Sequence, residues 1–268
     1  MVHTLPEGEP VMGVTSLGEE IYLLRPKDVE QVEVYDVISY RLLRRLSVPN
    51  ALGFSDMTSC QHFLCLYIGV PDAECIHRLD LQGNSTMWPV NDKPAGLSVN
   101  ADHNLTVTCD EVRKIKEFSP RGDLLRLVTL PDDIINPYHA IQLTNCKFIV
   151  CHGEVGDPIH RVCKISSDGR VTIQSHGGER GSDVGQYDVP NHLAIDNEFV
   201  FVVDYNNRRV TLLTLTLDYV RQVVSRDQVK WGPEKLCYDV HRRRLYVADN
   251  EFKDGDYTAV GRVVVFSV

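Results

Sequence analysis

The sequence predicts an all-β chain folded as a six-bladed β-propeller, and three observations predict it. Short apolar runs bounded by turn residues take the place of helical periodicity along the chain. The runs fall into six units, each opened by a proline: Pro10, Pro49, Pro94, Pro137, Pro190 and Pro233. The prolines lie roughly 40 to 50 residues apart, the length of one propeller blade. Finally, the sixth unit is one strand short, while the first residues of the chain form one strand in excess.

Each unit justifies its strands in the same order. A short apolar strand follows the proline. A second strand, rich in β-branched and aromatic residues, comes next: Ile21 to Leu24, Phe63 to Ile68, Leu105 to Thr108, Phe148 to Cys151, Phe199 to Val203 and Leu245 to Ala248. The third is led by a basic and an aliphatic residue, as in Arg78-Leu79, Lys114-Ile115, Arg161-Val162, Arg209-Val210 and Arg262-Val263. Turns such as Asp80-Leu81-Gln82-Gly83, Ser119-Pro120-Arg121-Gly122 and Ser167-Asp168-Gly169 then place glycine where a tight hairpin needs positive φ. Fourth strands follow, for example Leu124 to Leu130 and Val171 to Gln174. The sixth unit stops after its third strand, Arg262 to Phe266, and Val2 to Leu5 supply the missing outer strand. Pairing the two ends removes the open edge of the ring. Residues 1–268 are read as a single propeller, with blades starting near 10, 49, 94, 137, 190 and 233 and residues 1–8 completing the sixth.

Composition narrows the function. Hydrophobic residues make up 43% of the 268 and charged residues 24%, which fits a globular domain and excludes a disordered one. No eighteen-residue apolar window is present for a membrane helix, and the N-terminus lacks the basic and apolar regions of a signal peptide, so a cytoplasmic chain is expected. The net charge of −9 argues against a polyanion as the default partner. The eight cysteines sit mostly in apolar runs and read as reduced structural thiols in a reducing compartment.

One stretch is more specific. Gly178 to Gly185, then Gln186-Tyr187 and Pro190, lead into Leu193-Ala194-Ile195-Asp196, Val202-Val203-Asp204, Asn207 and Arg209-Val210. This pattern closely resembles the NHL repeat, and Leu245 to Asp249 with Arg262-Val263 keep part of it. In blades two to four, Ile68, Cys109 and His152 fall where Asp204 does. Asp204 ends one strand and Arg209 begins the next, so the two can pair across the turn, with Asn207 taking a left-handed conformation. These three residues are expected to stabilise the blade. The resemblance implies a recognition domain like that at the C-terminal end of tripartite-motif proteins, where it selects protein substrates for ubiquitin transfer or, in several members, binds RNA.

Chemistry was sought in the channel. His139 and His192 each lie two residues after a blade proline, Lys235 holds the same place in blade six, and Met12, Ala51 and Gly96 hold it in the first three. Some NHL-like propellers are metal-dependent lyases with channel histidines, but a catalytic zinc wants three protein ligands and a water. Two histidines fall short, so His139 and His192 are weak candidates and no metal or other cofactor is expected. With no nucleophile elbow and no phosphate loop, the chain is expected to be non-catalytic.

Recognition is then expected on the face formed by loops between second and third strands and by the blade linkers. This face is net acidic, which suits a basic protein or peptide. The patch nominated for it is Asp249, Glu251, Phe252, Asp254, Asp256 and Tyr257, with the aromatics as anchors. An RNA-binding alternative rests on Arg208, Arg226 and Lys230. A monomeric domain with no membrane partner completes the expectation.

Overall fold

The computed structural model describes residues 1–25, 31–48, 53, 56–253 and 256–268, with no side chains for 252–259. The chain forms six four-stranded antiparallel sheets arranged as blades around a central channel. Among the described residues the only helical segments are two three-residue 3₁₀ turns, Pro71–Ala73 and Arg226–Gln228. None of the helices is long and apolar enough to cross a membrane.

Six buried clusters hold the ring together, one at every seam between neighbouring blades. Leu24, Val34, Met57 and Ile68 join blades one and two, for example, and Val203, Leu212, Leu236 and Val247 join five and six. The seam between six and one is filled by Leu5, Val11, Ile21, Tyr246 and Val263. Each second strand is buried on both faces because both pack against a neighbour, which is why most of these runs are continuous; blade three, with buried Thr106 and Thr108, is the exception. The fourth strands, such as Leu42–Ser47 and Tyr219–Val224, face solvent and alternate less cleanly.

The ends of the chain share one sheet. His3–Thr4 pairs with Asp256–Ser267, His3 opposite Val265 and Thr4 opposite Val264, so the N-terminal strand completes the sixth blade. Arg25 secures this junction: its guanidinium donates to the carbonyls of Pro6, Glu9 and Gly261 and pairs with Glu33.

The inner strands are Gly13–Leu17, Asp56–Cys60, Gly96–Val99, Pro137–Gln142, Pro190–Ile195 and Pro233–Asp239. In the last three the blade proline is the strand's first residue, where a missing N–H does no harm, and a bulge follows it. The first three start differently. Pro49 and Ala51 lie outside the described residues, and blade two enters the channel at Asp56.

Candidate functional site at the central channel

Strand register defines the ring of residues at the head of the channel. Gly13 lies opposite Leu24, Asp56 opposite Gly69, Gly96 opposite Thr108, His139 opposite Cys151, His192 opposite Val203 and Lys235 opposite Ala248. In every blade the partner is followed by the last second-strand position of the repeat: Arg25, Val70, Cys109, His152, Asp204 and Asp249. Proline spacing puts Met12 and Ala51 in the ring, and Ile68 at the Asp204 position of blade two. Register corrects these to Gly13, Asp56 and Val70: the inner strand begins three residues after Pro10 in blade one and seven after Pro49 in blade two.

The ring therefore holds a carboxylate, two imidazoles, an ammonium and two glycines. The glycines flank Asp56 and are required for close packing. A Cβ on Gly96 would fall 2.4 Å from the Tyr138 carbonyl oxygen, and one on Gly13 would fall 2.6 Å from Met57 Cβ. With no side chain on either flank, Asp56 reaches across the channel. Its Oδ2 accepts the Leu97 N–H at 2.8 Å, and His192 Nε2 lies 3.4 Å from each of its oxygens. His139 Nε2 and Lys235 Nζ are each 3.8 Å from the same carboxylate. The two imidazoles lie against each other, their centroids 4.1 Å apart and their planes tilted by 30°.

All four side chains are nearly inaccessible, with Asp56 1%, His139 2%, His192 6% and Lys235 8% exposed. Burial pushes the pKa of His139 down to about 3, with His192 beside it adding to the effect, and burial lowers His192 too, so both rings are neutral near pH 7. Burial opposes ionisation of Asp56, but the Lys235 ammonium and then His192 outweigh it and hold the carboxyl below the usual range. Charge is thus balanced between Asp56 and Lys235. Hydrogen bonding sets the tautomers. His139 Nε2–H donates to the Leu97 carbonyl at 2.9 Å and His192 Nε2–H faces Asp56, so each Nδ1 carries a lone pair. Both Nδ1 atoms, and Asp56 Oδ1, are buried without a hydrogen-bond partner.

Below the ring lies a cavity of about 300 Å³, lined by His139, His192, Thr15, Ser59, Ser98 and Cys237. It runs to Gln61 and to Val240 and His241 on turns between first and second strands. The channel accordingly opens on the face opposite the loops nominated from sequence. Thr15 and Ser59 hydroxyls bond each other at 2.8 Å, and Ser98 donates to the Ala140 carbonyl at 2.7 Å.

The residues nominated on the loop face disperse. Asp249 is fully buried and accepts from the N–H groups of Lys230 and Trp231 and from Arg262 Nε, so it holds a blade together and offers nothing to a partner. Glu251 is half-buried. Asp254 lies outside the described residues, as do the side chains of Phe252, Asp256 and Tyr257. Of the basic residues, Arg208 donates to the carbonyls of Val229 and Lys230, Lys230 pairs with Glu7 at 3.0 Å, and Arg226 is exposed. Sequence reasoning missed Trp231, against whose ring Lys230 lies at 4.3 Å. Trp231 joins Tyr205, Asn206, Arg208, Lys230 and Glu251 around a second cavity of about 390 Å³.

Asp204 matches its expected role. It is fully buried and accepts from Arg209 Nε at 2.7 Å, Asn207 Nδ2 at 2.8 Å and the Asp188 N–H at 2.7 Å. Arg209 and Asn207 extend this to the carbonyls of Gly181, Ser182, Asp183 and Gln186, tying the glycine-rich linker to the blade. The left-handed residue of the turn is Arg208 (φ 55°), not Asn207, whose side chain bridges the turn instead. The cysteines form no disulfide, and all but Cys146 and Cys237 are buried.

Neither a protein-family model nor a curated protein matches the chain. Solved structures do match, over nearly its whole length. The hydrazine synthase of Kuenenia stuttgartiensis is 13% identical, with a TM-score of 0.67 over 100% of this chain and 98% of that one. Virginiamycin B lyase from Staphylococcus aureus is 10% identical, with a TM-score of 0.64 over 98% and 88%. The β-propeller domain of Cps50 (Swd1) from Myceliophteria thermophila is 11% identical, with a TM-score of 0.63 over the full length of both. At these identities the likeness is one of fold. It nonetheless overturns the expectation of a non-catalytic chain, because that expectation rested on missing linear motifs and propellers of this shape include enzymes. A propeller collects its polar residues from separate blades, where no linear motif records them. The β-propeller is the fold this chain shares with them, built here from six blades.

Proposed function

We propose that the protein acts through its central channel, as a site that admits a small polar ligand from the turn face and can exchange a proton with it at His192. The observation that carries this reading is the unsatisfied ring: a carboxylate and two neutral imidazoles meet from three blades, with three buried polar atoms unpartnered, at the end of an open cavity. Asp56 facing Nε2–H is the arrangement that fixes an imidazole's tautomer and leaves Nδ1 as the base. Rigid inner strands supply the positioning such chemistry needs. That propellers of this shape include lyases and a synthase is compatible with it. The test is a thermal-shift screen of small polar compounds on wild type and His192→Ala in parallel. A compound that raises Tm by several degrees in wild type and not in the variant supports the channel.

A second reading has its own observation. The cavity between blades five and six on the loop face offers an aromatic ring, Trp231, beside charges of both signs, which suits a protein or peptide anchor. It keeps the NHL-like recognition role, including substrate choice for a ubiquitin ligase, and Glu251 is the one nominated acidic side chain near it. RNA is less favoured, since two of the three nominated cations are already engaged by carbonyls or by Glu7. Partner capture lost in Trp231→Ala and kept in His192→Ala would move the site to this face.

A further inference from the structure

We infer that the ring is a binding site for one divalent transition-metal ion of the zinc or cobalt class, held by Asp56, His139 and His192, with Lys235 as its counter-cation when the metal is absent. The inference rests on the channel reading and names the cofactor of that site. One carboxylate and two imidazoles form the mixed oxygen–nitrogen donor set that suits such ions, whereas calcium and magnesium prefer oxygen alone. One ligand atom from each residue lies within 4.8 Å of the others. His192 Nε2 is 3.4 Å and His139 Nε2 3.8 Å from the carboxylate, against edges of about 3.3 Å for a tetrahedral set with bonds near 2.0–2.1 Å. Little closure separates the ring from a ligand cage.

Two further features point the same way. Asp56 Oδ1, an oxygen of the donor set itself, is buried without a hydrogen-bond partner, and buried polar atoms are otherwise nearly always satisfied. Both imidazoles also line the channel cavity, so water or a ligand can approach an ion that they hold. Sequence spacing offered two histidines; register supplies the third donor from blade two.

The cost of occupancy is visible as well. His139 gives up its bond to the Leu97 carbonyl, the tilted rings rotate, and Lys235 Nζ, 3.8 Å from Asp56 Oδ1, must swing away from the incoming charge. That competition yields a discriminating variant. Removing the ammonium in Lys235→Met retains every ligand and abolishes the rival cation, so it should tighten metal binding.

The experiment uses the full chain, stripped with chelator and titrated with Zn²⁺ and with Co²⁺, read by equilibrium dialysis with elemental analysis and by Co²⁺ visible absorption. One equivalent is expected, weakened at least about tenfold by His192→Gln or Asp56→Asn, since even outer-shell changes reach that size. Lys235→Met should bind at least about tenfold tighter, because two like charges this close repel strongly in a buried site. No stoichiometric metal in wild type and in Lys235→Met overturns the inference. So does binding indifferent to His192→Gln, which would place the ion on surface imidazoles such as the stacked pair His62 and His103. Small-ligand binding through His192 in metal-free protein, with no metal uptake, would defeat this inference and leave the channel reading standing. Metal uptake with no small ligand would do the reverse.

Discussion

Asp204 and Asp56 are both buried carboxylates paired with a cation, and they sit one strand apart in the architecture of a blade. Asp204 is served wholly by its own blade and the linker before it, with Arg209, Asn207 and a backbone N–H all in hydrogen-bonding contact. Asp249 repeats the arrangement in blade six with Arg262. Asp56 takes its partners from across the channel, at 3.4 to 3.8 Å, and keeps one oxygen unpartnered. The difference teaches how to separate structural charge from functional charge in a repeat fold. A carboxylate that the repeat itself satisfies is part of the scaffold, while one that appears in a single blade and is left incomplete is available for chemistry.

The sharpest way to break the comparison is at the satisfied end. Asp204→Ala leaves Arg209 buried without its partner and should destabilise by about 3–5 kcal/mol. At roughly 2–4 °C per kcal/mol for a chain of this size, Tm should fall by about 10 °C. A fall of only a degree or two would show that the blade does not depend on this pair.

Blade four offers a milder version. His152 stands where Asp204 stands, with Nδ1–H donating to the Ile135 carbonyl and Nε2 accepting from Arg161 at 2.9 Å. Burial, reinforced by the Arg161 charge, pushes its pKa down to about 4, against about 6.5 when unfolded. The unfolded state therefore binds the proton more tightly. The stabilisation is complete above pH 6.5 and is lost as pH falls from 6.5 through 4, by at most about 3 kcal/mol. Urea unfolding at pH 7.0, 5.5 and 4.5 should show a loss to which the lowered His139 and His192 also contribute, and His152→Asp, which copies blade five, should make it shallower by the share of His152 alone.

At the unsatisfied end the expected effects are smaller. Asp56→Asn strands Lys235 and should cost about 2 kcal/mol, and adding Lys235→Met should recover most of it, since a buried pair is often no better than an apolar replacement. If both single changes and the double change cost as much as Asp204→Ala, the ring is scaffold after all. Smallest is Glu251→Ser on the loop face, where stability should stay within about 0.5 kcal/mol.

Much of this was legible in the sequence, for reasons that can be named. Second strands packed on both sides read as continuous apolar runs, and Arg209 following Asp204 by five residues is a local pattern. The closing strand was legible from an accounting of strands. Asp56 was not, because the entry to blade two departs from the proline spacing and its contact with His192 spans 136 residues. No spacing rule reaches that far. Asp249 misled although the repeat marks it: Leu245 to Asp249 with Arg262-Val263 keep the pattern that buries Asp204, and the run of acidic neighbours made it look exposed. The side on which the channel opens likewise follows only from three-dimensional closure.

Closure has one more consequence, for the order in which the molecule can be made. His3 and Thr4 find their pairing partners in Val264 and Val265, so the propeller's N-terminal strand must wait for its last one. Until then a nascent chain carries five blades that can each assemble from neighbouring sequence, and a sixth that cannot. The seam that contains Leu5, Ile21 and Tyr246 stays open until the sixth blade has been made. The ring, and with it the meeting of Asp56 with His139, His192 and Lys235, comes into being in a single late step, so a site spread over four blades appears only once the last blade of the propeller is in place.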